Sequence, residues 1–108
     1  LEAWVRQALE RFQSLFGAPS LSAVAPCYLW TAEVEAVWRE EGVRFIQCAG
    51  YRCVGRGASG RYIQDPRLIR VGEVSDGGQI HLVRNVMYEP VDGRNTPETA
   101  LREARAAA

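Results

Sequence analysis

Between Leu21 and Cys48 the chain writes a strand, a helix and a second strand with almost no connecting residues to spare. Leu21-Ser22-Ala23-Val24-Ala25-Pro26 is a short run of small and apolar residues stopped by proline, which lacks the N–H that a strand ladder needs. Thr31 stands where an N-cap belongs, and Glu33 puts negative charge in the first turn. Val34, Val37 and Trp38 recur at helical spacing, and Gly42 is the expected stop. Val43-Arg44-Phe45-Ile46-Gln47-Cys48 follows at once as a second strand. Two consecutive strands joined through a helix pair in parallel by a right-handed crossover. The segment therefore predicts a βαβ unit and an α/β architecture.

The flanks add further elements. Leu1, Val5, Leu9, Phe12 and Phe16, with Trp4, Ala8 and Leu15, form an apolar stripe, and Gly17 with Pro19 closes it. That spacing predicts an amphipathic helix packed by one face. Residues 49–67 hold four glycines and few apolar side chains, and read as a loop. Leu68–Val74 and Gln79–Tyr88 read as the arms of a hairpin around Asp76-Gly77-Gly78. Both faces of the second arm mix apolar and polar residues, so it is expected to be covered on both sides. Thr96-Pro97-Glu98 opens a last helix: N-cap, proline, acid.

The 108 residues suit one domain or a fragment, 1–108. The chain begins at Leu1 inside a helical pattern and closes on Arg105-Ala106-Ala107-Ala108 without a cap, which reads as a segment of something longer. With 47% hydrophobic residues it is too apolar for disorder, and no apolar run reaches the ~18–20 residues of a membrane span. Thirteen arginines balance thirteen carboxylates, which argues against general affinity for nucleic acid or anionic lipid.

Several constellations carry chemistry only in the right context. Gly55-Arg56-Gly57-Ala58-Ser59-Gly60 matches the dinucleotide pattern, but Pro66 blocks the helix that such a turn must open, and the segment reads as a surface loop. Arg52, Arg56, Arg61, Arg67 and Arg70 with Tyr51 and Tyr62 have the residue types that grip phosphate or single-stranded RNA; they equally suit a solvated loop, and the rest of the chain supplies no basic stripe. Cys48, Cys53 and His81 fall short of the four ligands of a structural zinc site. Cys27 has no histidine near it in sequence and reads as a small buried thiol. Arg84 and Asn85, with Glu89 beyond them, stand near the end of a strand, where α/β proteins place their sites. A structural ion pair through Arg84 explains the same residues equally well.

The order of these pieces is similar to one family. Phe16-Gly17-Ala18-Pro19-Ser20 leads to Ala25-Pro26-Cys27-Tyr28, then to the helix with Trp38, then to Gly42-Val43-Arg44-Phe45-Ile46-Gln47. After an insertion come Leu82-Val83-Arg84-Asn85 and Tyr88-Glu89-Pro90. Together they resemble the C-terminal half of polysaccharide deacetylase-like proteins, the NodB-homology family. The resemblance implies a distorted (β/α) barrel that removes acetyl groups from carbohydrate with a bound divalent metal. The family's metal ligands (an Asp and two His) and its base belong to the N-terminal half, outside this chain. Val24 stands where the family carries the arginine of an Arg-x-Pro motif.

On that resemblance the expected fold is a partial (β/α) barrel of the deacetylase type, a βαβ unit plus hairpin and terminal helices; the alternative is a small α+β domain. The expected function is that of a C-terminal segment of a carbohydrate-active hydrolase, not catalytically complete by itself. The expected substrate contacts are Pro26, Cys27, Tyr28, Trp30, Gln47, Arg84 and Asn85. Trp30 either stacks on a sugar or belongs to the core. No cofactor is expected in this chain, and a divalent metal is expected in a full-length parent. Expected partners are a carbohydrate and either the remainder of the barrel or a second copy, since a barrel slice leaves strand edges open. The alternative function is a non-catalytic module that binds a small ligand or a protein.

Overall fold

The computed structural model describes residues 1–86 and 95–107. They form a small mixed α/β domain of three helices, a three-stranded parallel sheet and a two-stranded hairpin, with no closed barrel among the described residues. The first helix, α1, spans Glu2–Phe16 and ends at Gly17, whose φ of 73° is the left-handed cap that glycine adopts without strain. Strand β1 is Ser22–Val24, helix α2 is Ala32–Glu40 and strand β2 is Phe45–Cys48. As the sequence requires, β1 and β2 run parallel, Ala23 beside Ile46 and Val24 beside Gln47.

Two further strands follow, β3 (Cys53–Arg56) and β4 (Tyr62–Gln64), paired antiparallel as an arm across the expected loop. The expectation of an unstructured 49–67 is thus corrected. The glycines close the tip instead: Gly57 N–H bonds to the Arg61 carbonyl, and Gly60 N–H to that of Gly57. Strand β5 (Ile80–Val83) then returns to the sheet and pairs parallel with β2, giving the order β1-β2-β5.

The expected hairpin around Asp76-Gly77-Gly78 is present only as a short bridge between Val74 and Ile80. Residues 68–74 are not a strand, because the left-handed Gly72 (φ 79°) turns the chain and the Glu73 carboxylate accepts the Arg70 N–H locally. The second arm ends as a strand at Val83; Met87–Tyr88 and Glu89 lie outside the described residues. Coverage of that arm is one-sided, since His81 is buried while Leu82 is exposed.

The sheet alternation explains the core. Ala23, Ile46 and His81 share one face and α2 covers it through Val34 and Trp38. Trp30 and Trp38 meet with ring centroids 6.2 Å apart, and Val43 and Ile69 complete the cluster. The opposite face, with Val24, Gln47 and Leu82, is open. Helix α1 is joined to α2 by Arg6, which bonds to Glu40 and Glu41, and only Val5 and Leu9 reach the core. The rest of its apolar stripe is exposed, Trp4 at 76%, so the packed face expected for this helix is only partly used. The final helix, α3 (Pro97–Ala107), is capped reciprocally: Thr99 N–H bonds to Thr96 Oγ1 and Thr96 N–H to Thr99 Oγ1. No helix among the described residues is long and apolar enough to cross a membrane.

Candidate functional site

At the carboxyl ends of the parallel strands lies a cavity of about 290 Å3, lined by Val24, Tyr28, Gln47, Cys48, Leu82, Val83 and Arg84. Each strand of the sheet contributes its last residues, which is where α/β architectures place binding groups. Gln47 projects from the open face of β2 and its Nε2 donates to Ser22 Oγ at 3.1 Å. Arg84 stands just past β5, fixed by its N–H bond to the Cys48 carbonyl. Tyr28 is half-buried and meets the Tyr51 ring edge-on, centroids 5.6 Å apart.

The third wall is strained. Pro26–Tyr28 form a single 3-10 turn in which both Cys27 (φ 53°) and Tyr28 (φ 54°) occupy the left-handed region. Non-glycine residues there cost of order 1–3 kcal/mol each and persist where the surroundings hold them. The hairpin supplies the hold, because Leu29 bridges Cys53 of β3.

Of the residues expected to touch substrate, Tyr28, Gln47 and Arg84 therefore line one cavity. Pro26 and Cys27 are exposed in the adjoining turn. Asn85 is exposed but is not in the lining. Trp30 is elsewhere. Only 2% exposed, it packs in the core while also lining a separate cavity on the helix side, and its Nε1 donates to Glu35 at 3.1 Å. Cys27, expected as a buried thiol, is exposed instead because the strained turn carries it to the surface. Sequence reasoning missed Val24, Cys48, Leu82 and Val83 as lining. Burial pushes the Cys48 thiol up, so it stays protonated and serves as wall.

The metal that the family resemblance implies finds no donor set here: among the described residues no three His, Cys, Asp or Glu side chains converge. The loop arginines are largely engaged. Arg52 pairs with Asp65 at 3.0 Å, Arg67 pairs with Glu73, and Arg56 lies over the Tyr62 ring.

A second cavity, of about 300 Å3, opens on the helix side between α2 and the 65–79 segment, and shares no residue with the first. Gln79 and His81 are 2% and 4% exposed in its wall. Gln79 Nε2 donates to the Val43 carbonyl at 3.0 Å, but Gln79 Oε1 and His81 Nδ1 are buried without partners. Two polar residues flanking Ile80 were the only signal in the sequence.

Burial holds His81 below the ordinary histidine value, against the opposing pull of Glu35 and Glu73. The native state thus binds fewer protons than the unfolded chain near neutrality, so stability rises with pH there. Acidification from about pH 7 to 5 is expected to lower the thermal midpoint, and His81→Gln to flatten that dependence. The carboxyls of Asp65 and Glu73 are held low by backbone N–H bonds from Arg67 and Arg70 respectively. Their contribution has the same sign and disappears at more acid pH. Melting curves at several pH values check this.

No family model, curated protein or solved structure matches the chain.

Proposed function

We propose that the chain is a C-terminal segment of a polysaccharide deacetylase-like, carbohydrate-active hydrolase, and that the cavity at the strand ends contacts the acetylated sugar. The observation that carries this reading is the gathering of Tyr28, Gln47 and Arg84 at the carboxyl ends of three parallel strands. It is supported by the strained Cys27-Tyr28 turn beside them and by the motifs quoted from the sequence. In this reading the sheet is part of a deacetylase-type barrel, and its open face, with Val24, Gln47 and Leu82, is the barrel interior. The groove of about 620 Å3 between α1 and the free edge of β1 then receives the remainder of the barrel or a second copy. The bound divalent metal belongs to the parent's other half.

Arg84 offers a guanidinium fork to hydroxyls and a carbonyl, Gln47 a donor and an acceptor, and the Tyr28 ring an apolar wall. Binding of N,N′-diacetylchitobiose, followed by amide shifts, is expected to move Tyr28, Gln47 and Arg84. Gln47→Ala and Arg84→Ala are each expected to weaken it by about 1–2 kcal/mol, roughly tenfold. Both side chains are exposed, so neither change disturbs the core. Acetate release by this chain with added divalent metal is expected not to exceed that of the metal alone. Absence of any shift at these three residues at millimolar disaccharide, or metal-dependent hydrolysis by the isolated chain, refutes the reading.

A further inference from the structure

The helix-side cavity holds two orphans that the first site does not use. Gln79 Oε1 needs a donor. His81 is neutral near pH 7, so its buried Nδ1 needs a donor or an acceptor according to the tautomer. Native proteins satisfy such groups, because an unpaired buried polar atom costs about 1–3 kcal/mol. A hydroxyl donates and accepts through a single oxygen, and so satisfies either histidine tautomer without reorienting a larger group.

The surrounding charge narrows the ligand further. Arg39, Arg52 and Arg67 in the lining are balanced by Glu35, Asp65 and Asp76. The two buried unpartnered atoms are uncharged, so an ionic group seated on them would lose its hydration without a counter-charge. Trp30, Ala36 and Ile69 supply apolar wall between the polar groups, the mixture that suits a ring of alternating C–H and O–H. The volume is at the low end for a ligand site, which limits the occupant to a small molecule.

One wall is built to leave room. A Cβ placed on Gly77 would lie 3.1 Å from Arg39 Nη1 and 3.5 Å from Gln79 Oε1. Arg39 is exposed and has no ion pair among the described residues, so its end is a movable cover beside the Gln79 oxygen.

We propose that this cavity is a binding site for a neutral polyhydroxylated small molecule on the scale of a single sugar ring, whose hydroxyls seat against Gln79 Oε1 and His81 Nδ1 as Arg39 swings aside. The proposal is independent of the reading given to the strand-end cavity.

Titration of the whole chain with glucose and with inositol, read at the His81 imidazole nitrogens and the Gly77 and Gln79 amides, tests it. Saturable shifts at these positions are expected at millimolar concentration. Gly77→Ala, at a backbone conformation open to alanine, is expected to weaken the binding at least about tenfold. Glycine and inorganic phosphate are expected to give no saturable shift. The proposal is overturned if the His81 nitrogens stay unmoved by both polyols, if glycine or phosphate alone saturates them, or if Gly77→Ala binds as the unaltered chain does. Polyol shifts confined to Tyr28, Gln47 and Arg84 refute this site and leave the other reading standing.

Discussion

Ile46→Ala is expected to cost about 3–4 kcal/mol of folding free energy and to leave a substantial fraction of the chain unfolded in mild urea. Ile46 is 0% exposed. It stands in the middle strand with Ala23 on one side and His81 on the other, under α2. Ladder bonds on both edges fix β2 in place, so the walls of the resulting hole cannot close on it, and the cost includes the cavity as well as the lost transfer energy. A domain of this size has roughly 5–10 kcal/mol in total, so the change removes a large share. Ile46→Val, which deletes one methylene, is expected to cost about 1 kcal/mol. Urea midpoints for the two variants check the ranking. A loss under about 1 kcal/mol for the alanine variant would mean that α2 and the sheet do not share one core.

Trp30→Ala is expected to be at least as damaging, about 3–5 kcal/mol, because it empties the contact between α2 and the loop before it. The ring packs on Trp38 and bonds to Glu35. Trp30→Phe separates packing from hydrogen bonding: most of the ring volume stays, and the expected loss falls to about 1–2 kcal/mol. The same variant also tests the site assignment. Trp30 does not line the strand-end cavity, so diacetylchitobiose binding there is expected to be unchanged in Trp30→Phe at temperatures where the protein is folded. A loss of binding with no loss of stability would make Trp30 a sugar contact at that cavity.

What could be read in advance follows from how local each signal is. Residues 21–48 were legible because periodicity, N-cap and stop glycine agree within a few residues of one another. The hairpin β3–β4 was not, since its strands are short, β4 is exposed throughout and β3 buries only Cys53 fully, too little apolar surface to show as a pattern. Helix α1 was legible as a helix, but its stripe gave no sign that only Val5 and Leu9 would reach the core. Tyr28, Gln47 and Arg84 were readable as strand-end residues; that they share one cavity depends on the pairing of β5 with β2, which an intervening arm conceals. The Gln79–His81 cavity is assembled from α2 and the 65–79 segment, far apart in sequence, and no local pattern announces such a meeting. The left-handed pair Cys27-Tyr28 is equally silent, because neither residue type favours that conformation.

The glycine-closed tip of the arm has a practical corollary. Ala58 and Ser59 are exposed, and they cap a projection whose two legs already support each other. Lengthening such a hairpin loop costs only logarithmically in chain entropy. Foreign peptide, a fluorophore or a purification handle grafted between these two residues should therefore ride on the protein without altering either recess.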